Sequence, residues 1–169
     1  IFVTLVGTVL AILIVTMTGY VLSRPDFPWR NGFSFFYFFT TLFSGGLVPT
    51  YLLCTKVLHF NNQLYALIVP GLFSVWNMII SKNFMKAIPY ELVESAKMDG
   101  AGDSLVYFKI MLPLSKPLIA TLSLFTALGY WNDWYNCMLY MSHHEKWNLQ
   151  YMLQNILNSA ESMTRIANQ

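Results

Sequence analysis

Four stretches of the chain are free of charge or nearly so: residues 1–22, 34–55, 63–82 and 114–141. A helix of about 20 apolar residues, rising 1.5 Å per residue, crosses the roughly 30 Å of a bilayer's hydrocarbon. Each stretch is therefore predicted to be a span. The first carries no charged residue at all. The second is interrupted by Gly45, Gly46 and Pro49, which predicts a helix that is bent or partly unwound near Gly45, since such breakers are tolerated where neighbouring groups satisfy the freed backbone. The third contains Pro70-Gly71 and should be kinked. The fourth has Lys116 at its start and Asp133 late, and it ends among Trp131, Trp134, Tyr135 and Tyr140, an aromatic belt of the kind found where membrane meets water.

Polar segments separate these runs. Ser23 to Ser34 holds two prolines, an Asn-Gly pair and charges of both signs, the marks of a short turn; Lys56, His59, Asn61 and Asn62 form another. Residues 85–113 form the one long polar stretch, with Glu91, Glu94, Lys97, Asp99, Asp103 and Lys109 inside it. Each such charge at bilayer depth would cost about 2.5–3.5 kcal/mol, so this segment is a loop. In the tail, Leu149, Met152, Leu153, Ile156 and Leu157 recur at helical spacing and predict an amphipathic surface helix over about 148–158.

Composition agrees with this pattern. Of 169 residues 56% are hydrophobic and 11% charged, with mean hydropathy +0.48, against about 25% charged residues in a typical soluble domain. The fold class is all-α: a polytopic transmembrane helical bundle in one domain, 1–169, in contact with the lipid bilayer. A net charge of +2 spread over few groups provides no nucleic-acid patch. Cys54 and Cys137 lie in apolar surroundings without metal-ligand spacing and read as small hydrophobes.

The distribution of Lys and Arg sets an orientation. Arg24, Arg30, Lys82, Lys86, Lys97, Lys109 and Lys116 fall on one side; Lys56, Lys146 and Arg165 fall on the other. The positive-inside rule places the first side, with the long loop, in the cytoplasm. Both ends of the chain then face outward. With no Met at the start and no basic leader or cleavage site, a preceding membrane segment is expected.

Within the loop, Pro89 suits a first helical turn, and Glu91 and Glu94 favour the positive end of a helix dipole. A short helix to about Met98 is predicted, ended by Asp99-Gly100 with Gly100 in the left-handed cap. Asp103 is expected to cap a second short helix that runs through Ile110 and closes at Leu112-Pro113. Gly100, Ala101 and Gly102 make a corner with little side-chain bulk, which a partner surface could approach closely.

The spacing Glu94-Ser95-Ala96, three residues, Gly100, nine residues, Ile110-x-Leu112-Pro113 resembles the EAA signature of type I ABC importer permeases, with Ser95 in place of the usual first alanine. The resemblance implies that the loop is a coupling helix seated in a cleft of an ATP-hydrolysing subunit, with Glu91, Glu94, Ser95, Ala96, Asp99, Gly100, Ala101, Ile110, Leu112 and Pro113 forming the docking region. Glu94 would meet a basic group there. LFSGGLVPTYLL from Leu42 and PLSKPLIATLSLFTALGYWNDWYN from Pro113 look like the carbohydrate-uptake branch. The same resemblance implies a multi-pass protein of a bacterial cell membrane that supplies the middle four of six spans. Its partners would be ABC ATPase subunits, a homologous permease, an extracellular solute-binding protein meeting the outer amphipathic segment, and a sugar substrate. No phosphate-binding G-x-x-x-x-G-K-[ST] loop occurs, so ATP hydrolysis is assigned to a separate subunit; the chain itself reads as neither an enzyme nor a cofactor protein.

Three polar positions on the spans stand apart. Asn132 and Asp133 lie about 27 Å beyond Pro113 along a helix, toward the outer leaflet. They read either as substrate or gate contacts or, for Asp133, as an interfacial carboxylate within the aromatic belt. Asn77, beside Trp76, either lines a substrate path or bonds between helices. His143-His144-Glu145 lacks ligand spacing and carries no metal reading. Two rival functions remain at this level: an intramembrane enzyme using Asp133 with His143 or His144, and a membrane scaffold that transports nothing.

Overall fold

The computed structural model describes residues 1–43 and 45–167. The described residues are helical or irregular, with no strand among them. Helix α1 is Phe2–Ser23, α2 Arg30–Leu42 and α3 Leu47–Leu52, the last extended by a π-helical turn over Leu53–Val57. Next come α4, Tyr65–Ile68, passing into a 3-10 turn at Val69–Gly71, and α5, Val75–Lys86. The loop region holds α6, Glu91–Met98, and α7, Asp103–Val106, which runs through a π-helical turn at Tyr107–Met111 into α8, Leu112–Leu114. Helices α9, Lys116–Trp131, α10, Trp134–Tyr140, and α11, Leu149–Ala167, complete the chain.

Among the described residues one helix, α1, is long and apolar enough to cross a membrane by itself, and there are up to four candidate spans if each bent helix pair counts as one. The run 34–55 is divided between α2 and α3. Helix α3 follows Gly46, whose φ of 84° lies in the region where a side chain is strained. The run 63–82 is broken between Gly71 and Val75, and α5 restarts under the cap of Ser74, whose hydroxyl accepts from the Asn77 N–H at 3.3 Å. The run 114–141 is divided at Asn132 and Asp133. Helix α11 is longer than the 148–158 read from its apolar stripe. Beyond Leu157 the hydroxyls of Ser159, Ser162 and Thr164 donate to the carbonyls of Asn155, Asn158 and Ala160 four residues back, so these polar side chains are accommodated within the helix past the point where the stripe ends. The side chain of Arg165 and residues 168–169 lie outside the described residues.

The described residues form two compact units, one of 8–43 and 72–126, the other of 1–7, 45–71 and 127–167. In the first, Val15, Met78, Met85, Val106, Tyr107 and Leu122 are almost fully enclosed and form the centre of an apolar core. Helices α1 and α5 approach closely there. A Cβ on Gly19 would sit 2.8 Å from Ser81 Cβ and 3.1 Å from the Lys82 backbone nitrogen. A small residue at such a crossing lets two backbones touch, the main source of attraction between helices in lipid.

In the second unit the core gathers Cys54, Ala66, Leu67, Cys137, Tyr140 and Met141. The α4 helix passes into its 3-10 turn at Ile68. The Tyr130 hydroxyl donates to the Ile68 carbonyl at 2.9 Å. A Cβ on Gly7 or Gly71 would strike the Tyr130 side chain at 2.7 and 2.9 Å, so both glycines make room for this bond.

Candidate functional site

The polar loop folds into a knob of two short helices. Helix α6 begins after Pro89 with Glu91 and Glu94 in its first turn, where its dipole favours carboxylates. Its end is a Schellman motif: the Gly100 N–H bonds the Lys97 carbonyl at 3.0 Å and the Ala101 N–H bonds the Ala96 carbonyl at 2.9 Å. Gly100 takes φ 83°, and a Cβ placed on it would meet no atom within 4 Å, so the outer side of this corner is open.

The knob has two faces. Val93 is 3% exposed and belongs to the core of its unit, with Ala96, Ala101, Ile110 and Leu112 packed partly buried against the same cluster. Glu91, Leu92, Glu94, Ser95, Asp99 and Gly100 are exposed, and Met98 is 83% exposed. The EAA-like positions therefore divide. Ala96, Ile110 and Leu112 anchor the knob inward, whereas Glu94, Ser95 and Gly100 face out. Pro113, also exposed, sits in the first turn of α8, where its missing N–H costs nothing.

Asp103 does not cap α7. The cap position is Gly102, in extended conformation with no side-chain bond, and the Asp103 carboxylate accepts instead from Arg24 Nη1. The bond is charge-assisted on both sides, among the strong kinds of hydrogen bond. The chain also runs helically past Leu112-Pro113 and turns at Ser115, because the π-helical turn at Tyr107–Met111 keeps the backbone coiled.

Arg24 is the hub of the arrangement. Although charged, it is only 8% exposed. It grips Asp26 through two bonds, Nε to Oδ1 at 2.9 Å and Nη2 to Oδ2, and its Nη1 also donates to the Tyr20 hydroxyl at 3.1 Å. Lys97 on α6 closes the cluster, donating to Asp26 Oδ2 at 2.9 Å and lying 3.7 Å from Asp103. The turn after α1 is thereby tied to both arms of the knob. The Arg24 bond, aided by Lys97, holds the Asp26 carboxyl far below the ordinary carboxylate range against the opposing effect of burial. The Arg24 bond likewise lowers Asp103, and the bond to Asp26 raises Lys97. One turn deeper, Thr16 Oγ1 and the Tyr107 hydroxyl share a buried 2.8 Å hydrogen bond between α1 and the end of the knob.

None of Arg24, Asp26, Lys97, Thr16 and Tyr107 stands out in the sequence as a functional position. Arg24 and Lys97 enter there only as topological charges. The signals available were the opposite-sign Arg-Pro-Asp turn and Thr16, one of four threonines in an apolar helix, and both are common.

The polar span positions are divided between the two units. Asn77 is in the first unit, half-buried, with Nδ2 3.5 Å from Thr126 Oγ1. Asn132 and Asp133 are in the second. Asn132 Oδ1 accepts from Gln150 Nε2 at 2.8 Å, and Asp133 caps α10, accepting from Asn136 N at 3.2 Å and Asn136 Nδ2 at 2.9 Å. Asp133 is thus the cap of α10, with each carboxylate oxygen accepting one bond from Asn136. The His144 ring lies 3.9 Å from that of Trp147. Among the described residues, no three His, Cys, Asp or Glu side chains gather where a metal ion could be held.

Residues 1–135 match the family described as binding-protein-dependent transport system inner membrane component. The chain is 43% identical over 163 residues to the polygalacturonan/rhamnogalacturonan transport system permease protein YtcP of Bacillus subtilis (strain 168), covering 96% of this chain and 57% of that one. It is 42% identical over 156 residues to protein LplC of the same organism, covering 92% of this chain and 52% of that one. It also resembles, with TM-score 0.87 and 30% identity over 91% of this chain and 55% of the other, a chain in the crystal structure of a bacterial ABC transporter involved in the import of the acidic polysaccharide alginate. The chain thus spans about half the length of the relatives it matches.

Proposed function

The chain belongs to the family of binding-protein-dependent transport system inner membrane components, and on that premise we propose that it is the membrane-spanning subunit of an ATP-driven importer whose knob at 91–113 receives the motion of a separate ATPase subunit. The observation that carries this reading is the two-faced knob. An exposed acidic and apolar edge, Glu91, Leu92, Glu94 and Met98, is backed by a buried face and joined to α1 through Arg24. A rigid projection with an open outer surface suits a socket on another protein. The inward anchors carry a push on that surface to the helices behind it.

Transport then proceeds by alternating access. ATP binding draws two ATPase subunits together, each presses on the knob of its permease, and this chain with a homologous partner permease changes which side of the membrane its path opens to. An extracellular solute-binding protein delivers the solute to the outward face, where α11 presents an amphipathic surface. The knob and the turn at 24–30 face the cytoplasm in this arrangement, as the Lys and Arg distribution favours. Asn77, Asn132 and Asp133 are the polar positions available to a passing solute.

The substrate class we infer is an oligosaccharide. Relatives at 43% and 30% identity carry names or titles that specify polygalacturonan/rhamnogalacturonan transport and alginate import, and more distant ones specify arabinooligosaccharides and diacetylchitobiose. Reconstitution of the full transporter in vesicles tests the proposal. Glu94→Lys and Gly100→Asp are expected to abolish the ATPase stimulation that substrate-loaded binding protein produces, while the chain remains inserted and assembled. Undiminished stimulation in both variants would defeat the docking role.

A further inference from the structure

A second feature of the knob's unit is not used by docking. Beneath α6, a cavity of about 190 Å³ is walled by Tyr20, Ser23, Arg24, Arg30, Lys86 and Tyr90, with the rest of its lining apolar. Three of these side chains are cationic, and no carboxylate lines the cavity among the described residues. Arg24 is already matched by Asp26 and Asp103. Arg30 and Lys86 form no ion pair among the described residues, and Lys82, one turn from Lys86, lies within Coulomb range of both.

Arg30 makes one long bond, Nη1 to the Arg24 carbonyl at 3.4 Å, which leaves most of its donors unused. The Tyr20 hydroxyl accepts from Arg24 and keeps its own proton to donate. Uncompensated like charges converging on one hollow repel each other, and an anion seated among them removes that repulsion. The size limits the anion. At about 190 Å³ the cavity falls below the roughly 300 Å³ at which sites for larger organic ligands begin, a size that suits a small anionic group such as a phosphate.

We propose that this cavity binds a phosphate group through Arg30 and Lys86, with the Tyr20 and Tyr90 hydroxyls as neutral donors. The same chemistry is presented by the headgroup of an anionic phospholipid and by free phosphate or a small phosphate ester. The cations lie where the apolar helices α1 and α5 end, the level of a membrane's headgroups, and basic pockets at that depth suit lipid phosphate. The site is independent of whether the knob docks an ATPase.

The test uses the full-length permease in its assembled transporter, in nanodiscs of phosphatidylcholine alone, of phosphatidylcholine with phosphatidylglycerol, and of phosphatidylcholine with millimolar inorganic phosphate. Retained phosphatidylglycerol is counted by native mass spectrometry, and phosphate by radiolabel. Arg30→Gln combined with Lys86→Gln is expected to lower binding of one of the two by roughly tenfold or more. Arg30→Lys with Lys86→Arg should retain it, and Lys109→Gln, an exposed cation outside the cavity, should leave it unchanged. Loss in the lipid arm alone identifies the headgroup as the ligand, and loss in the phosphate arm alone identifies the soluble anion. Equal binding in wild type and the double Gln variant, or an equal loss in Lys109→Gln, would overturn the site and leave the docking proposal untouched.

Discussion

Arg24 donates to Asp103 across 79 positions of sequence, joining the turn after the first long helix to the second arm of the knob. Because the same guanidinium holds Asp26, and Lys97 of the first arm also reaches Asp26, three separate segments meet on four charges. Exposed ion pairs contribute little singly, but Arg24 is buried and hydrogen-bonded at every nitrogen, so removing it leaves carboxylates without their partner.

Arg24→Gln is therefore expected to loosen the knob by about 1–3 kcal/mol, well below the loss for a fully buried pair because Asp103 is two-thirds exposed. Hydrogen exchange on the assembled transporter should register faster exchange over residues 91–111, with the core at Met78 and Leu122 unaffected. Arg24→Lys should fall between the two, since an ammonium cannot grip Asp26 with two parallel bonds.

The cluster also sets a pH dependence. Asp26 and Asp103 are held below the ordinary carboxylate value, so their contribution is fully present above about pH 4 and declines as pH falls from there toward their lowered values. Lys97 is shifted upward, so its contribution holds below about pH 10 and is lost as pH rises through its raised value. Knob protection measured by hydrogen exchange should be level between about pH 5 and 9 and fall below about pH 4. Asp26→Asn should flatten most of the acid limb.

Gly100 separates backbone strain from partner contact. At φ 83° with open space around it, Gly100→Ala costs about 1–2 kcal/mol of conformational strain, and Gly100→Asn costs less because asparagine tolerates the left-handed region. If a partner surface approaches the corner closely, both variants lose ATPase coupling despite their different local stability. If strain alone matters, coupling follows stability and Asn retains it.

Gly19→Leu forces α1 away from α5, because the new side chain meets Ser81 and the Lys82 backbone. Overpacking of this kind costs about 1–3 kcal/mol or more where backbone is the obstacle. The expected readout is a lower yield of assembled transporter, while Gly32→Leu, at a position with open space, is tolerated.

Tyr130→Phe removes one oxygen and with it the buried hydrogen bond to the Ile68 carbonyl where α4 passes into its 3-10 turn. The cost should be about 1–3 kcal/mol, measured as a lowered unfolding midpoint in detergent, with Tyr130→Leu worse because the ring contacts with Gly7 and Gly71 are lost as well.

Two physical rules act directly along the chain. Charges are excluded from hydrocarbon, which separates the apolar runs from the 85–113 loop. Glycine enters the left-handed region more cheaply than any other residue, which gives Gly100 its place as the terminator of α6. Both act over a few residues, so sequence expresses them directly. The tertiary structure alone decided which residues of the loop face inward and that Asp103 serves Arg24 instead of its own helix. It also decided that Thr16 meets Tyr107. These outcomes depend on which distant segments share a neighbourhood. A carboxylate's choice between a local N–H and a guanidinium 79 positions away has no signature in spacing, because the distant partner is within reach only once the chain has folded.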